Sequence, residues 1–130
     1  MSGEPILVVD DNRVNLKLAR VLLEGEGYEV RTAADATEAT AVLRDFQPRL
    51  ILMDLQLPGT DGLSLTRRLK ADPRTSDIAI LALTAYAMKG DEERARAAGC
   101  DGYISKPIDT RRLAEIIAAH LLSSEAREPP

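Results

Sequence analysis

Short apolar runs alternate with amphipathic stretches along the whole of this chain. Runs at roughly 6–10, 28–33, 50–54, 78–83 and 102–105 predict five strands. The first, third and fourth are continuously apolar, as parallel strands are when helices cover both faces. The second, Tyr28-Glu29-Val30-Arg31-Thr32-Ala33, alternates apolar and polar and predicts an edge strand.

The stretches between them predict helices. Asn12 is a good cap for the first. Its Val14, Leu18, Val21 and Leu22 follow the spacing of a buried stripe, and Gly25 and Gly27 end it. The second opens on Asp35-Ala36-Thr37-Glu38, close to a capping box, turns Ala39, Val42 and Leu43 inward and stops before Pro48. The third runs from about Leu63 to Lys70. The fourth, about Asp91 to Ala98, carries acids first and Arg94 and Arg96 later, which suits the helix dipole, and Gly99 closes it. The fifth starts near Asp109 and buries Leu113, Ile116, Ile117 and Leu121. A polar, Pro-ended stretch follows, so the expected organisation is one domain over 1–122 and a flexible tail over 123–130.

Five βα units with right-handed crossovers predict a doubly wound α/β fold, (βα)5 and flavodoxin-like, with a parallel five-stranded sheet in the order 2-1-3-4-5. The order reverses between strands 1 and 3. Ligands of open α/β sheets bind at such a reversal, outside the carboxyl ends of the strands. Asp10 and Asp11 follow the first strand, Asp54 ends the third, Thr84 follows the fourth and Lys106 follows the fifth. The topology therefore gathers three carboxylates, a hydroxyl and an ammonium on one rim.

Clustered carboxylates repel one another unless cations sit among them. Oxygen ligands favour Mg²⁺, held by Asp10, Asp11 and Asp54, with a backbone carbonyl just after Asp54, that of Gln56, completing the shell. A carboxylate can also attack phosphorus. Asp54 is the candidate nucleophile because its strand lies between the Asp10-Asp11 pair and the Thr84 and Lys106 positions. Lys106 would pair with one phosphoryl oxygen and Thr84 would donate to another.

Size and composition narrow the alternatives. The chain has 130 residues, enough for one domain, and a formal net charge of −4, which disfavours direct DNA binding. The single cysteine, Cys100, excludes an intrachain disulfide and suits a small buried residue. No apolar stretch approaches a membrane span, and Met1 to Pro5 lacks the plan of a signal peptide, so a cytoplasmic location is expected. Tyr103 on a short last strand can be half-buried packing. His120 reads as a packing or surface residue, and Arg111 and Arg112 as a solvated face.

The segments Ile6-Leu7-Val8-Val9-Asp10-Asp11-Asn12, Leu52-Met53-Asp54-Leu55-Gln56-Leu57-Pro58, Asp61-Gly62, Ala82-Leu83-Thr84-Ala85 and Tyr103-Ile104-Ser105-Lys106-Pro107 occur in order at strand ends. In this the chain resembles the receiver domain of two-component response regulators over nearly its whole length. The stretch Thr84 to Arg94 resembles single-domain regulators of the DivK type, and the Asp-Asp-Asn-x-x-Asn start at Asp10 is similar to receivers of hybrid histidine kinases. The resemblance implies that Asp54 is the phosphoacceptor, that Asp10 and Asp11 hold Mg²⁺, and that Thr84 and Lys106 contact the phosphoryl group. It further implies an aromatic switch at Tyr103, and a tuning of phosphoryl lifetime by Gln56 and Tyr86. The implied donor is a histidine kinase or histidine phosphotransfer protein. The implied output is a protein partner on the face of helix 4, strand 5 and helix 5, since no DNA-binding domain follows within these 130 residues. Such a switch catalyses its own phosphorylation and dephosphorylation and turns over no other substrate.

Three rivals share parts of this pattern. A Mg²⁺-dependent aspartyl-phosphate phosphatase of haloacid-dehalogenase type would place Asp-x-Asp at the first strand and carry a cap, whereas this chain has adjacent Asp10-Asp11 and no length for a cap. A flavodoxin-like cofactor binder would need a phosphate-cradling loop after the first strand and aromatic side chains, of which there are one Phe and three Tyr. A receiver that signals without phosphate would usually have lost some of the five rim residues, and all five are present.

Overall fold

The computed structural model describes residues 3–55, 62–84, 90–105 and 111–127. Five strands and five helices alternate: β1 (Pro5–Val9), α1 (Arg13–Gly25), β2 (Glu29–Ala33), α2 (Ala36–Asp45), β3 (Leu50–Asp54), α3 (Gly62–Ala71), β4 (Ala79–Thr84), α4 (Asp91–Ala98), β5 (Gly102–Ser105) and α5 (Leu113–Arg127). The strands form one parallel sheet in the order β2-β1-β3-β4-β5, as predicted. The backbone of α5 is helical through Arg127, past the Ser123 position where the sequence suggests a tail.

Apolar side chains of successive strand residues point to opposite faces and build two cores. Leu7, Val9, Ile51, Met53 and Ile80 pack beneath α2, α3 and α4. Ile6, Val8, Leu50, Leu52 and Leu81 pack beneath α1 and α5 through Ala19, Leu23, Leu113 and Ile117. Every residue of β3 and β4 is buried, which explains their unbroken apolar runs. β2 is an edge strand and alternates as expected.

The helix ends are chemically explicit. Asn12 accepts the Val14 and Asn15 N–H groups at 2.9 and 3.1 Å. Asp35 accepts the Glu38 N–H at 2.8 Å while Glu38 accepts that of Ala34 at 2.9 Å, a reciprocal cap. Gly99 closes α4 at φ 109°, and a Cβ there would lie 2.8 Å from Lys70 Cγ, so glycine is required twice over.

One expectation is corrected. Val14, Leu18 and Val21 do not face the core; they are 74%, 36% and 59% exposed. The buried positions of α1 are Ala19 and Leu23, with Leu16 and Leu22 packed beside them. Val14 and Leu23 lie half a turn apart at about 100° per residue. The helix thus carries apolar residues on two faces, and the small Ala19 gives the truly buried one a weak signature.

Away from the rim, Lys70 of α3 is a clamp. Its Nζ donates to Asp101 Oδ2 at 2.9 Å and to the Ile78 carbonyl at 2.7 Å, and Asp101 Oδ2 also accepts the Ile80 N–H at 2.9 Å. Cys100 is buried nearby, and burial pushes its thiol above the ordinary value, as expected of a packing residue.

Candidate functional site

Three strand ends define the site. Asp10 directly follows β1, its N–H continuing the ladder to the Ala33 carbonyl at 3.1 Å, and its side chain is fully buried. Asp54 is the last residue of β3 and 1% exposed. Thr84 is the last residue of β4 and 3% exposed. Asp54 is in register with Leu83, so Thr84 stands one residue farther along the adjacent strand. Asp11 sits on the rim and faces solvent.

Asp10, Asp11 and Asp54 each offer a carboxylate oxygen, and these oxygens lie within 4.8 Å of one another. Oxygens on opposite sides of one Mg²⁺ are about 4.2 Å apart, so a single hard cation, helped by water, fits the span. An all-oxygen set, two of its carboxylates buried and that of Asp11 exposed, also suits Mg²⁺ better than a softer metal. The predicted metal-binding trio is therefore brought together by the fold. Gln56 and Lys106, the remaining predicted ligand and cation, lie outside the described residues, as do Asp61, Tyr86 and Pro107. Tyr103 lies on β5 in register with Ala82, half-buried against the core beneath α3 and α4. His120 of α5 lies against Gly102, where a Cβ would come within 2.9 Å of its ring; that is the opposite end of β5 from the rim.

Two residues shape the site beyond those predicted. The Asp10 carboxylate is held from both sides: Oδ1 accepts the Asn12 N–H at 2.9 Å and Oδ2 accepts Asn15 Nδ2 at 3.3 Å. A buried carboxylate needs such donors to stay buried. Asn15 was visible in sequence only as part of a motif; its place one turn beyond the Asn12 cap is the signal that it reaches back. Gly62 opens α3 with its N–H donating to the Leu55 carbonyl at 3.3 Å. A Cβ on Gly62 would overlap the Asp54 carbonyl oxygen and lie 2.8 Å from Leu55 Cα. Glycine there lets α3 press against the backbone that aims Asp54.

Comparison with known proteins agrees with this geometry. The family model described as response regulator receiver domain matches residues 6–118. The polar-differentiation response regulator DivK of Brucella anthropi is 47% identical over 116 residues, covering 89% of this chain and 94% of that protein. Among solved structures, a CheY-like response regulator receiver domain protein from Methanospirillum hungatei JF-1 superposes with a TM-score of 0.90 at 33% identity, over 98% of this chain and all of the other. The receiver domain of the sensor histidine kinase PA1611 from Pseudomonas aeruginosa PAO1, with a magnesium ion coordinated in its active-site cleft, gives a TM-score of 0.83 at 36% identity, over 92% and 98% of the two chains.

Proposed function

The chain belongs to the response regulator receiver family, and on that premise we propose that it is a Mg²⁺-dependent phosphoacceptor switch of a cytoplasmic phosphorelay. The observation that carries this reading is the meeting of three carboxylate oxygens within 4.8 Å at the switch point of the sheet, with the Thr84 strand end adjacent.

Asp54 is the nucleophile. One of its oxygens attacks the phosphorus of a phosphohistidine; the P–N bond breaks, its electron pair returns to the imidazole nitrogen, and an acyl phosphate forms on Asp54. Asp10, Asp11 and Asp54 would hold the Mg²⁺, with the Gln56 carbonyl, and the ion would supply charge neutralisation at the phosphoryl oxygens. Asn12 and Asn15 keep the Asp10 carboxylate oriented. The Thr84 hydroxyl donates to a phosphoryl oxygen and Lys106 pairs with another. Movement of Thr84 toward that group vacates room for the Tyr103 ring. The face of α4, β5 and α5 then binds a protein partner better in one state, which shifts the population.

The donor is a histidine kinase or histidine phosphotransfer protein. Its imidazole must reach Asp54, so its surface must cover the rim. The exposed stripe of Val14, Leu18 and Val21 starts two residues after the Asn12 cap, three along the chain from Asp11, and supports an apolar donor contact on α1. A net charge of −4 argues against a polyanionic partner such as DNA.

Transfer from a phosphorylated histidine donor tests the reading. One equivalent of label should appear on this chain in Mg²⁺, and none on Asp54→Asn. Sustained release of phosphate from phosphomonoesters would instead favour a phosphatase of haloacid-dehalogenase type.

A further inference from the structure

We propose that the groove between α2 and α3 binds a phosphorylated small molecule of mononucleotide size. It is separate from the acidic rim. The connections at the far end of the sheet, Phe46 to Pro48 and Asp72 to Thr75, close its lower part. Its volume is about 560 Å³, and a smaller cavity of about 390 Å³ adjoins it along α2. Small-molecule sites run from about 300 to 1,000 Å³ with an apolar lining and a few convergent polar groups.

The chemistry of the walls defines the ligand. Arg44 of α2 and Arg68 of α3 line both cavities from facing helices. Neither makes an ion pair among the described residues, whereas Arg20, Lys70, Arg74 and Arg96 all do. Arg74 stands at the lower end, 3.2 Å from Asp72. Three guanidiniums and one carboxylate thus line the larger cavity, in a chain whose net charge is −4. Guanidinium forks match phosphate oxygens two at a time, and two forks on opposite walls suit a doubly charged group better than a carboxylate. Between them lies a floor of Leu43, Phe46, Pro48 and Leu65. The space is too large for a bare phosphate, and its apolar floor would be left wet by one. A flat, partly apolar body bearing a phosphoryl group uses both features.

Calorimetric titration of the whole chain in EDTA tests this, because the chelator silences the acidic rim. Adenosine and guanosine monophosphates should bind with Kd below about 1 mM. The double variant Arg44→Ala/Arg68→Ala should weaken binding at least about tenfold, with an unchanged melting curve. The Lys pair, Arg44→Lys/Arg68→Lys, should bind with intermediate strength, so a fold defect in the Ala pair would not hide the answer. Amide shifts at Thr40 and Leu65, and not at Asp10 or Asp54, should accompany binding. The proposal is overturned by no heat with the monophosphates, by equal binding of adenosine or of inorganic phosphate alone, by indifference to both arginine pairs, or by an acidic peptide that displaces the monophosphates from the groove. None of these outcomes bears on phosphotransfer to Asp54.

Discussion

A single acid at one end of the sheet and a trio of acids at the other are built on opposite plans. Near the start of β4 and β5, Asp101 meets the Lys70 ammonium and the Ile80 N–H, each at 2.9 Å. At the carboxyl ends, Asp10, Asp11 and Asp54 bring three like charges within 4.8 Å. The first arrangement matches charge to donor and ties α3 to the sheet. The second concentrates repulsion that a bound cation would relieve. A fold keeps the first for stability and the second for function, at some cost to stability.

Breaking the matched end should have the largest effect. Asp101→Ala takes the carboxylate partner from the Lys70 ammonium, which keeps the Ile78 carbonyl, and leaves the Ile80 N–H without this acceptor, and denaturant titration should show a loss of about 3 kcal/mol. That is the low end for a buried pair, because both side chains keep about a fifth of their exposure. Gly62→Ala should come next, at about 2 kcal/mol, because the new methyl group must displace the Asp54 backbone. Unlike the clamp variant, it should also slow phosphorylation, and a rate equal to that of the natural chain would contradict the packing argument.

At the acidic end the sign should reverse. Metal-free Asp54→Asn should be more stable than the natural chain by about 1 kcal/mol, because one of three like charges is gone. Mg²⁺ at tenfold excess over its dissociation constant should raise the stability of the natural chain by about 1.4 kcal/mol, and that of the variant by less. A destabilised metal-free variant would mean that the cluster is structural after all. The smallest change belongs to α1. Val14→Ser and Val21→Ser should each alter stability by less than about 0.5 kcal/mol, since both side chains face solvent. If the stripe meets the phosphodonor, the pair should slow phosphotransfer from a histidine donor while leaving phosphorylation by a small phosphodonor unchanged.

The sequence made the sheet legible because its two central strands are buried along their whole length. β1, β3 and β4 lie between two helical layers, so their apolar runs admit few other readings. The carboxylate trio followed from topology, since residues just past neighbouring strands must converge. α1 misled because its exposed Val14, Leu18 and Val21 are larger and more regular than the buried Ala19. Periodicity measures apolar spacing and does not say which of two faces meets the sheet. The roles of Asn15 and Gly62 were hidden for another reason. One is a side chain reaching back along a helix, and the other is an absence of side chain against a backbone three-dimensionally near but eight residues earlier. Lys70 and Asp101 are 31 residues apart, and no local pattern announces such a pair.

The central claim is that Asp54 takes up phosphorus with the help of Mg²⁺. Incubation with a small phosphodonor, followed by intact-mass measurement and peptide mapping, tests it most directly. The account predicts a single phosphoryl adduct on the peptide containing Asp54, dependent on Mg²⁺ and absent from Asp54→Asn. An adduct that persists in that variant, or that forms equally well in EDTA, would contradict it.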